Sequence, residues 1–389
     1  MSSAGEFDAF PSTSGCVIAD RPGGAALRAA LAVARGGAAF RIGGGDALPR
    51  QGNAPMFETL TGGTSGAPRR IWRSQASWLA SFAQNARLFG IGPGVSVSVL
   101  GRLAHSLSLY GALEALHLGA RLHLLDGMRP DRQRAALAAH RVAVLYATPS
   151  QLRLLLEAGG PILPDMAVML IGGSALDLPL RQALRRLCPG ADIRAFFGAA
   201  ETSFITLADD DTPEGSVGRP YPGVQISLRC ADGRGAAEGD LGQIWVRSPY
   251  LAEGYGAPEP AGAIWRAGWV SVGEWGRLVA GHLYLAGRSS RMVTVADHNV
   301  FPEEIELFLA GLPGVIRAAV LPRPDGLRGH VLEAVLMGDA GQSAAILAAL
   351  RVKFGALKAP RRLHWRRDWP MLASGKTDLR ALEVIWPPL

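Results

Sequence analysis

Between residues 70 and 200 the apolar positions fall into two alternating rhythms. Short apolar runs bounded by turn residues, VSVSVL (95–100), RLHLL (121–125), VAVLYA (142–147), AVMLI (167–171) and IRAFF (193–197), predict strands. Between them, amphipathic stretches predict helices over 74–89, 106–118, 131–139, 149–158 and 179–187. One helix start is well marked, because Thr148 can cap, Pro149 suits the first helical position and Gln151 completes a capping box. Strand and helix in alternation predict a mainly parallel sheet covered by helices.

After Glu201 the texture changes to glycine and proline punctuation around short strands at 224–230, 243–248, 275–279 and 283–286, which predicts a small β-rich subdomain. From about residue 292 the order is helix (303–311), strand (318–322), strand (331–337), helix (343–354) and strand (362–366), a compact α+β module. The short polar stretch Gly287-Arg288-Ser289-Ser290-Arg291 is the expected joint. The fold class is therefore α/β: a large N-terminal domain (1–288) joins the helix-covered sheet to the β-rich subdomain, and a small α+β C-terminal domain (289–389) follows.

Composition narrows the function more than the fold. With 389 residues, 48% of them hydrophobic, the chain can bury a full core. No apolar run approaches the ~20 residues of a membrane helix, and the start MSSAGEFDAF lacks the regions of a signal peptide, so a cytoplasmic protein with no membrane span is expected. Cys16, Cys188 and Cys230 are too scattered for a disulfide framework or a metal cluster. The net charge of +7 permits an anionic partner, but the arginines form no dense block with interleaved aromatics, which argues against nucleic acid. Lysine occurs only at Lys353, Lys358 and Lys376, with arginine at every other cationic position. A lysine kept in such a chain fits a site that needs a compact ammonium rather than a planar fork.

The stretch TLTGGTSGAPRR (59–70) is the first candidate for chemistry. Gly62, Gly63 and Gly66 offer unhindered backbone N–H groups, Thr61, Thr64 and Ser65 add hydroxyls and Arg69 adds charge, so this loop before a predicted helix can wrap phosphate oxygens. A flexible turn is the plainer reading of the same residues. It is not a Walker A loop, since Gly375-Lys376-Thr377 has Pro370 where the first glycine belongs. No Gly-x-Ser-x-Gly elbow is present, the histidines never pair at metal spacing, and Asp209-Asp210-Asp211 reads as a solvated acidic loop.

Further stretches follow in order: IGGSAL (171–176), FFGAAET (196–202), GSVGRPYPG (215–223), GWVSVGEWG (268–276), LYLAGRSSRMV (283–293), NVFPEEIE (299–306) and PMLASGKTD (370–378). Together with LTGGTSGAPRR this series resembles the adenylate-forming superfamily of acyl-CoA synthetases, firefly luciferase and nonribosomal peptide adenylation domains, over residues 56–380. The resemblance implies an ATP- and Mg²⁺-dependent ligase that joins a small carboxylic acid to AMP and passes the acyl group to a thiol, CoA first and the phosphopantetheine of an acyl carrier protein as the alternative. It implies that the 61–69 loop holds the β- and γ-phosphates and that Gly173, Ser174, Phe197, Gly198, Ala199 and Ala200 line the nucleotide, with Phe197 on adenine. Glu201 would hold the metal and Glu274 and Arg288 the ribose. Lys376 would bridge the carboxylate and the α-phosphate, His105 and Gly172 would border the acyl pocket, and the C-terminal domain would be a mobile lid turning at Ser290. A catalytically impaired adenylate-binding member is the other reading, and a homodimer is left open.

The series departs from the family pattern in five places. Arg69 stands where lysine is usual, Ala200 where a hydroxyl is usual, and Glu274 where aspartate is usual. Ala296-Asp297 replaces paired glycines on the strand lining the thiol path. Only 60 residues precede the phosphate loop, so part of the usual N-terminal subdomain is expected to be absent or supplied by a second subunit.

Overall fold

The computed structural model describes residues 16–61, 68–258, 262–371 and 377–385. The chain divides into two compact units. The first holds Met1–Ser227, Trp245–Val272 and Ala280–Leu283, and the second Leu228–Ile244, Gly273–Val279 and Tyr284–Leu389.

The first unit contains two sheets. One is formed by β1 (Cys16–Ile18), β2 (Phe40–Ile42), β3 (Met56–Leu60), β4 (Arg70–Ser74) and the short strand Gly254–Tyr255, in that order. β1, β2 and β3 run parallel, with α1 (Gly23–Arg35) between the first two, and β3 turns back antiparallel into β4. This sheet, α1 included, was not legible from the apolar pattern, and it inserts β4 between the glycine-rich loop and its helix.

The second sheet follows the alternation closely. β5 (Ser96–Val99), β6 (Arg121–Leu124), β7 (Val144–Ala147), β8 (Val168–Ile171) and β9 (Asp192–Ala199) are parallel in the order β9-β8-β7-β5-β6. β10 (Ser203–Ala208) and Arg219–Pro220 extend the β9 edge antiparallel. The intervening helices are α2 (Gln75–Phe89), α3 (Ser106–His117), α4 (Pro130–Ala139), α5 (Pro149–Glu157) and α6 (Leu178–Leu187). The Thr148–Gln151 capping box forms as expected, Gln151 N–H donating to Thr148 Oγ1 and Thr148 N–H to Gln151 Oε1. Leu137, Leu145, Leu152, Met169 and Leu184 fill one core layer. Aromatic rings link the two sheets through α2 and α3: Phe57 meets Trp78 at 4.7 Å, Trp78 meets Tyr110 at 5.1 Å and Tyr110 meets Phe204 at 5.3 Å.

In the second unit, Val293–Val295, His298–Val300, Val315–Asp325, Gly329–Gly338 and Arg362–Arg366 form one sheet. The helices Pro302–Ala310 and Ser343–Lys358 cover it through Ile305, Leu309, Ile346 and Leu350, and Leu382 packs with Ala319, Leu321 and Val335. Glu274–Val279 pairs with the start of Gly242–Arg247 and neighbours His282–Arg288. No helix among the described residues is long and apolar enough to cross a membrane.

Under the aromatic bridge lies a buried acid. Glu114 on α3 is fully enclosed, takes a hydrogen bond from Asn85 Nδ2 at 2.8 Å and another from Tyr146 Oη, and burial pushes its carboxyl up to about 8. The unfolded chain releases this proton near 4.5. The stabilisation is therefore complete below about 4.5 and is lost as pH rises through about 8. Glu114→Gln keeps the shape without the proton, so between pH 5 and pH 9 the melting temperature of the native chain should fall by on the order of 5 °C more than that of the variant. Parallel curves would contradict a protonated Glu114.

Candidate active site

Most of the residues singled out in the first unit lie at the carboxyl ends of parallel strands, where open α/β sheets bind ligands. The glycine-rich stretch connects the antiparallel strands β3 and β4, and its two ends are latched twice. Thr61 N–H donates to Arg69 O at 3.1 Å and Arg69 N–H to Thr61 Oγ1 at 3.1 Å. Gly62, Gly63, Thr64, Ser65 and Gly66 lie outside the described residues. Below the latch the Glu58 carboxylate, wholly buried, receives Arg41 Nη1 at 2.7 Å and Arg70 Nε at 2.8 Å. One acid answers two guanidiniums there, so the hairpin base carries a net positive charge suited to an anion. His105 caps α3 without a side-chain bond, is exposed, and pairs by a parallel bridge with Leu60, the last residue before the loop.

β8 ends in Gly172, Gly173 and Ser174. Gly172 is buried and Gly173 has φ 95°. A Cβ on Gly172 would fall 2.2 Å from the Phe196 ring, so glycine is required there. Phe196, rather than Phe197, fills that space and packs on Phe204 at 4.5 Å. Strand alternation puts the half-buried Phe197 on the opposite face, opposite Thr206 in register.

β9 then closes tightly into β10 through Ala200, Glu201 and Thr202. A Cβ on Gly198 would sit 2.0 Å from the Ser203 carbonyl, and Ser203 takes φ 58°. The turn carries Glu201, whose residue is 6% exposed. Tyr255 Oη donates to Glu201 Oε1 at 2.9 Å, and burial, with the Glu201 charge beside it, holds the phenol well above its ordinary range as a donor. Oε2 has no hydrogen-bond partner among the described residues. One open carboxylate oxygen fits a hard cation that draws its other ligands from phosphates and water. No group of three or more His, Cys, Asp or Glu able to hold a metal occurs among the described residues. Tyr255 carried no sequence signal beyond its place between two glycines. The Asp209–Asp211 loop is engaged in ion pairs, Asp209 with Arg194 at 2.9 Å and Asp210 with Arg181 at 2.8 Å.

In the second unit, adjacent strands bring Glu274 and Arg288 together. Arg288 Nε donates to Glu274 Oε1 at 2.7 Å, with the acid buried and the guanidinium half exposed. Ser290 is exposed in the turn that follows, next to Ser289, whose Oγ accepts from Trp275 Nε1 at 2.7 Å. Lys376 lies outside the described residues, while Met371 and Thr377 on either side pair as an antiparallel bridge and Trp369 Nε1 donates to Thr377 Oγ1 at 3.0 Å.

The AMP-binding enzyme family matches residues 14–256, and its C-terminal domain matches residues 304–376. The chain is 32% identical over 331 residues to the acyl–CoA ligase YhfT of Bacillus subtilis (strain 168), covering 83% of this chain and 67% of YhfT. It is 28% identical to the 3-hydroxybenzoate–CoA ligase of Aromatoleum sp. (strain CIB), covering 87% of this chain and 68% of the ligase. Of the first curated relatives it spans 67%, 69% and 58% of the length. In fold it is similar to the o-succinylbenzoate CoA synthetase of Bacillus subtilis (TM-score 0.77, 20% identity, 96% of this chain and 88% of that one). The amide bond synthetase McbA of Marinactinospora thermotolerans is similar too (TM-score 0.76, 24% identity, 96% and 80%). The chain belongs to the AMP-binding enzyme family, as an AMP-forming acid–thiol ligase of the acyl-CoA synthetase type.

The replacement of the paired glycines acquires a physical meaning in the structure. Ala296 and Asp297 form the two-residue turn between Val293–Val295 and His298–Val300, with φ 45° and 66°. Such a turn asks for left-handed backbone at both positions, which glycine meets without strain and alanine does not. Ala296→Gly should raise the stability of the second unit by about 1 kcal/mol, read as a higher urea midpoint. An unchanged or lower midpoint would show that the turn is not strained.

Proposed function

We propose that this ligase activates a small aryl or acyl acid as its adenylate and transfers the acyl group to CoA. The Glu201 carboxylate carries this reading: it is buried and oriented by Tyr255, and one of its oxygens is left open at the end of β9. Magnesium held there would offset phosphate charge. In the first step a carboxylate oxygen of the acid attacks the α-phosphorus of ATP and pyrophosphate leaves. In the second the sulfur of the thiol attacks the acyl carbon and AMP leaves.

Thr61, Arg69 and the glycine-rich loop hold the leaving pyrophosphate, and Gly173, Ser174 and Phe197 through Ala200 line the base. Glu274 and Arg288 hold the ribose hydroxyls. The Lys376 ammonium stabilises the charge that develops between the carboxylate and the α-phosphate, where two oxygens of different groups converge on a compact cation. His105 and Gly172 border the acyl pocket. Residues 289–389 act as a lid that turns at Ser290 between the two half-reactions, leaving 1–288 as the adenylating domain. An acidic acyl carrier protein is the alternative acceptor, supported by the net charge of +7. The cytoplasm, where ATP and CoA are both at hand, is the expected compartment.

A second reading is an adenylate-binding member without turnover, favoured by Ala200 in place of a phosphate-touching hydroxyl. Exchange of labelled pyrophosphate into ATP across a panel of aromatic and aliphatic acids separates the two. The enzyme reading predicts exchange that depends on one class of acid and falls at least ~100-fold in Lys376→Ala. Silence with every acid would favour the second reading.

A further inference from the structure

Arg73 has a place beside Glu201 that binding of nucleotide or acid does not explain. It stands on β4, four residues beyond Arg69, with 0% exposure. A charge buried that deeply needs partners, and its removal leaves theirs unsatisfied. Those partners converge on the turn that carries Glu201. Arg73 Nη2 donates to Ala200 O at 3.0 Å and Tyr250 O at 3.4 Å, and Nη1 donates to the hydroxyls of Ser203 and Ser77, both at 3.1 Å. Ser203 Oγ in turn donates to Tyr250 O at 3.2 Å. The guanidinium carbon lies 5.2 Å from the Trp78 ring centroid. Arg73 forms no direct ion pair among the described residues. Burial lowers it to about 9, against the opposing pull of Glu201, so at neutral pH the guanidinium is charged.

The turn it grips is one the backbone would not choose alone, with Ser203 left-handed at φ 58°. β4 also reaches Glu201 from the other side, because Ile71 of β4 pairs with Tyr255, whose hydroxyl holds Oε1. β4 thus holds the Glu201 turn twice: through Arg73 on the Ala200 carbonyl and Ser203 hydroxyl, and through its pairing partner Tyr255 on the Glu201 carboxylate.

We propose that Arg73 is a positioning residue for the metal-dependent step: its fork clamps Ala200 and Ser203 so that the open oxygen of Glu201 stays where magnesium of MgATP can take it. This rests on the reading of Glu201 as the metal-holding acid. The full-length chain tests it by thermal shift with ATP, titrated with MgCl₂, and by hydrogen exchange over residues 198–204. Arg73→Met and the milder Ser203→Ala should raise the magnesium concentration for half-maximal shift about tenfold and speed exchange in that turn, leaving the shift by metal-free ATP unchanged. Arg73→Lys, which keeps the charge without the fork, should fall between them and the native chain. If Arg73→Met fails to fold, Ser203→Ala decides. An unchanged magnesium requirement in these variants, with a raised one in Glu201→Gln, overturns the proposal alone. An unchanged requirement in Glu201→Gln as well overturns the metal assignment and the proposal with it.

Discussion

A charge cannot be left alone in a protein interior, and the β3–β4 hairpin is built around that constraint. Glu58 on β3 faces Arg41 and Arg70, and Arg73 on β4 faces the carbonyls and hydroxyls of the Glu201 turn. Removing one partner of such a buried set costs about 3–5 kcal/mol, which makes the set behave as one body. The base of the hairpin and the turn at the end of β9 are therefore held by buried charges of the same two strands.

The parallel sheet of the first unit was legible because its strands are buried on both faces and its helices are amphipathic, so the two periods stand apart. The hairpin beside it was not. In β4 the buried positions are Ile71 and Arg73, and in β3 a fully buried glutamate interrupts the apolar run. Charges at positions that a periodicity reading assigns to the core hide a strand. The strands Val293–Val295 and His298–Val300 escaped for a related reason: their turn is Ala-Asp, which carries none of the glycine that announces a left-handed pair.

The site divides along the same line. The ordered motifs identified the loop, the Phe197–Glu201 turn and the Glu274 and Arg288 pair, and the structure brings the last two into contact across neighbouring strands, 14 residues apart in the chain. Tyr255 and Arg73 were silent in the sequence because their contacts with the Glu201 turn join segments far apart in the chain. Left-handed backbone marks two turns, at Ser203 and at Ala296-Asp297. Backbone held in such regions persists where surrounding structure over-determines it, and at Ser203 the Arg73 fork is part of that structure.

The proposed function turns on one chemical event, the attachment of a carboxylate oxygen to the α-phosphorus of ATP. Isotope transfer reads that event directly. Turnover of the acid that supports pyrophosphate exchange, labelled with ¹⁸O in its carboxyl group, with ATP and CoA, should leave one labelled oxygen in the phosphate of AMP, seen by mass spectrometry or as a shifted ³¹P resonance. Label in orthophosphate alongside ADP would mean that the acid attacks the terminal phosphate, and would contradict an acyl-adenylate intermediate.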